Sequence, residues 1–350
     1  MDNENETAQF TGQCIEYLDS VLQDIQGFGD DVYILNKGHL AGLNIRTAER
    51  LDIEEQSVDF GPRFFCPRFT LEQARQKTTD FLANHADHIA YHIWPPRCSH
   101  GSYVGFEVDD SSPGPRDPDE RHPLCNLQTD AEFRQRWFLA VMGADYYNPW
   151  AESTNLGTWE GSEWFQLPEC DLVPGQMGNL PHHGGTRAQV GHPPRPYTFH
   201  VSRAFLIEEL STDTPHIGGT VVDSTEAEEG DVLRCEVAAA VGLLKHQFRR
   251  GDFCKHHTLP AIVFSFQHDS LGRVSQFHFD GRALVLRQSR LLNFRSDEPT
   301  TDAYHMIRWM ANRPMGETRF QQLAAEEGED AGHPDMDKNN GKLPVEGRGS

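Results

Sequence analysis

Basic residues are scarce in this chain: 31 Lys and Arg stand against 53 Asp and Glu, a net charge of −22. That balance argues against a general nucleic-acid backbone binder, which relies on a positive field to displace counterions. Its plain consequence is solubility by self-repulsion. No apolar run approaches the roughly 18–20 residues that a membrane helix requires. The opening residues, Met1 to Thr7, are acidic and polar, the opposite of a secretory leader. Seven cysteines (Cys14, Cys66, Cys98, Cys125, Cys170, Cys235, Cys254) lie scattered with no Cys-x-x-Cys pair. An odd, dispersed set without a leader points to reduced thiols, hence to the cytoplasm or nucleus, most of them serving as small buried hydrophobes. Several catalytic templates are missing as well. There is no Gly-x-Ser-x-Gly elbow, no phosphate-cradling Gly-x-x-x-x-Gly-Lys loop, no Gly-x-Gly-x-x-Gly and no His-Glu-x-x-His.

What is present suffices for a full core: 37% of residues are hydrophobic and 10% aromatic, which excludes a wholly disordered chain. The strongest pattern runs from Val232 to Met310 and predicts helix, three strands, helix. Leu233, Val237, Ala240, Val241, Leu244 and Phe248 share one helical face over Val232 to Arg250. Pro260 to Phe266 is too uniformly apolar for a half-exposed strand and predicts a buried central one, Ala261 to Phe266. Arg273 to Phe279 and Ala283 to Leu291 flank Asp280-Gly281, which predicts a hairpin with a two-residue primed turn. Asp302 to Asn312 closes the unit as a helix stopped by Pro314.

Elsewhere the spacing predicts a helix over Cys14 to Ile25 and a strand over Asp31 to Leu35. Capping boxes at Thr70-Leu-Glu-Gln73 and Thr129-Asp-Ala-Glu132 predict helices to about Asn84 and Met142. A strand is expected at Ile89 to Trp94, a helix at Ser202 to Leu210, and loops over Ser111 to Pro118 and most of Leu172 to Pro196. The fold class is therefore α+β: a helix-strand-strand-strand-helix C-terminal module (231–315) on a mixed sheet, with an irregular α+β N-terminal part (10–210). The polar stretch Ser211 to Asp231 is the expected seam, though one continuous domain is the alternative. The acidic, Gly- and Pro-rich end, 324–350, holds too few apolar residues to offset chain entropy and predicts a disordered tail.

Candidate chemistry is thin. The order of the module resembles the core of the PD-(D/E)XK nucleases, in which an acid on the second strand and an acid-x-lysine on the third hold a metal. By that resemblance Glu236 stands for the acid on the first helix and Asp280 for the acid ending the second strand. The third strand departs from the pattern: Gln288 and Arg290 occupy the places of the acid and the lysine. One carboxylate fewer leaves a poor magnesium site, since that ion prefers hard anionic oxygens. As a turn residue, Asp280 needs no catalytic explanation.

The same stretch also resembles a set of uncharacterised fungal, ascomycete-type proteins, through Pro260 to Phe266, Phe279-Asp280-Gly281, Leu284 to Arg290 and Arg308-Trp309. That resemblance implies an intracellular protein and transfers no activity. Tyr91-His-Ile-Trp-Pro95 lacks the companion segment of the secreted acid ribonucleases, so the likeness to them is coincidence.

Eighteen histidines make ligand spacings common by chance. His85, His88 and His92, the pairs His182-His183 and His256-His257, and the half-site His122 with Cys125 supply no complete zinc set. No structural metal and no cofactor is expected, and no residue is singled out as catalytic. Trp137, Phe138, Tyr146, Tyr147, Trp150, Trp159, Trp164 and Phe165 predict packing rather than a pocket. Arg287, Arg290 and Arg295 are candidates for an anion site or, more simply, partners for the many carboxylates. The function expected is a non-catalytic accessory, regulatory or scaffold role, of the sort that accompanies a fungal biosynthetic pathway. Its partner would be a protein or a small molecule; neither membrane nor general nucleic-acid binding is expected. The alternative is an enzyme with an unrecognised site, either a degenerate nuclease or an aromatic-pocket enzyme on an apolar metabolite.

Overall fold

The computed structural model describes residues 2–29, 31–55 and 61–84, isolated positions of a helical segment between 131 and 141, and the backbone of 164–166, 178–182 and 197–207. It also describes 213–320 apart from 224, 226, 268, 269 and 297. The elements in chain order are α1 (Asp2–Gly27), β1 (Ile34–Leu35), α2 (Lys37–Gly42), β2 (Ile45–Thr47), β3 (Phe65–Pro67) and α3 (Leu71–Asn84). Then come β4 (Trp164–Gln166), β5 (Gly178–His182), β6 (Tyr197–Ile207), β7 (Ile217–Asp223), β8 (Val232–Leu233) and α4 (Arg234–Arg250). The chain continues as β9 (Pro260–Gln267), β10 (Leu271–Phe279), β11 (Leu284–Gln288), β12 (Leu292–Asn293), α5 (Thr301–Met310) and β13 (Asn312–Pro314). Helices on a mixed sheet make this an α+β protein.

One nine-stranded sheet organises the molecule, in the order β2-β11-β10-β9-β7-β6-β4, with β12 on β10 and β5 on β6. β9, the uniformly apolar strand, is buried at every position and lies midway along that order, where Ala261 to Phe266 was expected. It runs parallel to β7 and antiparallel to β10. The parallel pair exists because α4 carries the chain from β7 back across the sheet, as a parallel connection requires. Ala238, Ala239 and Ala240 favour helix in α4, and Gly251, with φ 73°, ends it in the left-handed conformation that costs glycine nothing.

Side chains alternate between the two faces of the sheet. Ala261, Val263, Phe277, Phe279, Leu284 and Leu286 pack with α1 and α4 in one core. Ile262, Phe264, Phe266 and Val274 pack on the other side with α5, Phe138 and the segment around Leu51 and Ile53. The sheet is therefore covered on both faces, which is why β9 is apolar without alternation from Pro260 to Phe264.

Several local expectations fail for identifiable reasons. Of the helix expected at Ser202 to Leu210, Ser202 to Ile207 is instead part of β6, because Phe199 to Leu206 pair with β7 across a bulge at Ser202 and that long-range pairing overrides local helix propensity; 208–210 lie outside the described residues. Within Leu172 to Pro196, most of which is expected as loop, Gly178–His182 forms β5, paired with β6, and the rest of the stretch lies outside the described residues. The strand expected at Asp31 to Leu35 is only Ile34–Leu35, paired with β8. Phe279 pairs with Leu284, so the hairpin loop spans 280–283 rather than two residues. Asp280 Oδ1 accepts from the N–H groups of Arg282 (2.9 Å) and Ala283 (2.8 Å), and Gly281 supplies φ 85°. Helix α3 begins as expected, with Thr70 Oγ1 accepting from Gln73 N at 3.2 Å and Gln73 Oε1 from Thr70 N at 2.9 Å. The strand expected at Ile89 to Trp94 and the tail 324–350 lie outside the described residues.

The stretch expected as a seam holds β7, an interior strand of the shared sheet. N-terminal residues are also riveted to the module by buried arginines. Arg287 donates to the carbonyls of Glu49 (3.0 Å), Arg50 (3.3 Å) and Pro62 (3.0 Å). Gln276 donates to Pro62 O (2.9 Å) and accepts from Phe64 N (3.0 Å). Gly61 lies close against that guanidinium: a Cβ there would sit 2.7 Å from Arg287 Cζ. Because the guanidinium is held at three carbonyls it has little room to yield, so Gly61→Ala is expected to cost about 1–3 kcal/mol, the usual range for overpacking. Urea unfolding checks this; a midpoint equal to wild type would show that the Arg287 rivet is loose.

Candidate functional site

The α4-facing side of the sheet turns from apolar to polar at one end. β9 carries Ser265 and Gln267 there, β10 carries Arg273 and Ser275, and β11 carries Gln288, all within the alternation that puts Val263 and Phe277 on the same face. Register brings Ser265 opposite Arg273, and Ser275 opposite Gln288. Over this corner stands Glu236, in the first turn of α4.

The Glu236 carboxylate is fully buried and Arg273 is 1% exposed. Arg273 binds it with two prongs, Nε to Oε1 at 3.1 Å and Nη2 to Oε2 at 3.0 Å. Ser265 donates to Oε1 at 2.6 Å, Gln288 to Oε2 at 3.0 Å, and the Leu233 N–H to Oε2 at 3.4 Å. The last contact is the reach-back of a glutamate in the third helical position to the residue before the helix. Arg273 spends its remaining prong on Asp231 O at 2.6 Å, and Gln267 supports Ser265 from 3.1 Å. The carboxylate thus has donors on both oxygens, and its countercharge is a guanidinium on the neighbouring strand. Such an arrangement fixes the approach of α4 to three strands at once. It leaves no carboxylate oxygen free to ligate an ion or take a substrate proton.

Two cysteines of the adjoining core are chemically quiet. Burial, reinforced by Asp223 and Glu236, pushes the Cys235 thiol well up, so it stays protonated and is no nucleophile. Cys14, across the same core, is raised by burial to about 12.

The residues singled out by the nuclease resemblance are not brought together. Glu236 and Gln288 meet, at 3.0 Å. Asp280 closes the opposite end of β10, seven residues beyond Arg273, which at about 3.3 Å per residue is roughly 23 Å away. There it pairs with Arg46 as well as capping its turn. Partial burial works to raise the Asp280 pKa, but the Ala283 and Arg282 amides and Arg46 outweigh it and hold it below the usual carboxylate value.

Arg290 lies between Glu54 Oε1 (2.6 Å) and the two oxygens of Asp302 (2.8 and 2.6 Å), joining the 51–55 segment to α5. Arg290 thus has carboxylate partners and Arg287, as above, carbonyl ones. Among the described residues no three His, Cys, Asp or Glu side chains converge in a way that could hold a metal ion. No described helix is long and apolar enough to cross a membrane. His85, His88, His92, His122 and Cys125, and Trp150 and Trp159, lie outside the described residues. Trp137 and Phe138 are buried and pack edge to face, which is core.

Ser265, Gln267 and Arg273 escaped sequence reasoning. Their signal was there in retrospect: polar residues at alternate positions at one end of two strands whose remaining in-facing positions are apolar. No family model, no curated protein and no solved structure matches the chain.

Proposed function

We propose that this protein is a non-catalytic accessory or scaffold protein, whose surface serves a partner while its polar corner serves the fold. The observation that carries this reading is the saturation of Glu236. It is the one carboxylate placed on the first helix of the module, where the nuclease resemblance asks for an acid. Both of its oxygens are spent on Arg273, Ser265, Gln288 and the Leu233 amide, in full burial. A metal-dependent hydrolase needs carboxylate oxygens open to the ion and a path for water. A guanidinium already supplies the positive charge that an ion would bring. Asp280, the second acid of the resemblance, is committed to its turn and to Arg46 at the far end of the strand.

The test is cleavage of single- and double-stranded DNA and RNA in Mg²⁺ or Mn²⁺ by wild type, Asp280→Asn and Glu236→Gln. The expected result is no cleavage above buffer by any of them. Asn can still cap the 280–283 turn, so the Asp280 variant is expected to keep the fold. Cleavage by wild type that vanishes in either folded variant would overturn the reading.

A further inference from the structure

After α5 the chain runs back across the molecule as a strap, residues 312–320, and its holding points are unusual. β13 at its start pairs with β3, and the Met315 N–H donates to Phe64 O at 2.9 Å. Farther on, the amides of His257 and Thr258 both reach Thr318 O (2.9 and 3.3 Å), and the Phe320 amide reaches Lys255 O at 3.1 Å. Two buried histidines grip the side between these points. His216, 3% exposed at the start of β7, places Nε2 3.0 Å from Met315 O; His256, 2% exposed, places Nδ1 2.8 Å from Thr318 Oγ1. An imidazole facing a carbonyl through Nε2 carries its proton there, so neutral His216 leaves Nδ1 unprotonated, and among the described residues that buried atom has no hydrogen-bond partner.

We propose that the 312–320 strap is an acid-sensitive clasp, held shut by neutral His216 with His256 as second anchor, and released when His216 takes up a proton. A proton on Nδ1 would place a full charge in a buried site whose described walls supply no negative charge to offset it. β3 contributes the Phe65 ring, edge-on at 5.1 Å, and α4 contributes the neutral amide of Gln247, whose Nε2 lies 3.5 Å from His216 O. The loop before β9 contributes His256, whose charge opposes that of His216, while the Met315 and Phe64 carbonyls favour the charged ring without offsetting its burial. Burial accordingly holds His216 down to about 4, below the ordinary histidine value of 6.5. With the strap lifted the ring meets water and titrates normally, so the open state binds more protons between about pH 6.5 and 4. The clasp is complete above that window and is lost as pH falls through it. Opening would leave β3 without β13 and part Arg313 from Cys66, whose Sγ accepts from Arg313 Nε at 3.0 Å.

The test is hydrogen exchange on the full chain from pH 7 to 4, with each rate divided by its intrinsic rate. Protection of the Met315 and Phe320 amides is expected to fall at least tenfold across that range, while β9 and β10 keep theirs. In His216→Gln the side-chain amide still donates to Met315 O but takes no proton, so the fall should vanish. Strap protection that stays constant in wild type, that is lost together with β9, or that falls equally in His216→Gln would overturn the clasp. Should that variant fail to fold, Thr318→Val removes the second anchor instead. It is expected to lower strap protection at least tenfold at pH 7 with β9 unchanged, and no change in the strap would overturn the proposal.

Discussion

Replacing Arg273 with alanine is expected to destabilise the protein by about 3–5 kcal/mol, among the largest single losses in the molecule. The cost is not that of one ion pair. It is that of leaving the Glu236 carboxylate buried with its countercharge gone, while the Asp231 carbonyl keeps only the longer contact from Gln288 at 3.3 Å. Glu236→Gln approaches the same corner from the other side and leaves a buried guanidinium facing a neutral amide, so a loss of similar size is expected. Exchanging both partners for apolar residues, Glu236→Met with Arg273→Leu, should be far less damaging than either charge-removing change alone, because no uncompensated charge remains. Urea unfolding of the four proteins measures all of this. Losses within about 1 kcal/mol for the single variants would show that the pair is solvated rather than sealed.

Val263→Asp is expected to abolish folding. Val263 is fully buried on the central strand, in the core shared by α1 and α4, opposite Ser275 on β10 and Gly219 on β7. A carboxylate there removes an apolar contact and buries a charge beside an Arg273 already engaged by Glu236, and each effect alone ranks among the severe classes of substitution. The expected outcome is insoluble protein or loss of the cooperative melt. A soluble variant with a sharp transition would mean that β9 is not central.

The elements legible beforehand were those whose own residues decide them. β9 announces itself by the nearly uniform apolar run from Pro260 to Phe266, α4 by its apolar stripe, and α3 by a reciprocal Thr70–Gln73 box. The elements misread were those decided by a distant partner. Ala204 to Ile207 has helix-compatible residues, yet β7, brought alongside by the β7-α4-β9 crossover, captures it as strand. The polar corner was half visible for the same reason. Glu236 and Gln288 were noticed through the resemblance, whereas Arg273 and Ser265 became its partners only through the β9–β10 register. Asp280, legible as a turn residue from Asp280-Gly281, accepts from the Arg282 and Ala283 amides of its own turn.

The most direct measurement of whether Glu236 serves the fold or an ion is the urea midpoint of wild type in EDTA, in Mg²⁺ and in Mn²⁺. An ion that binds only the folded state at a hundred times its Kd would raise stability by about 2.7 kcal/mol. With both carboxylate oxygens taken by Arg273 and its neighbours, the three midpoints are expected to coincide. A metal-dependent rise that disappears in folded Glu236→Gln would contradict the closed corner and restore Glu236 as a ligand.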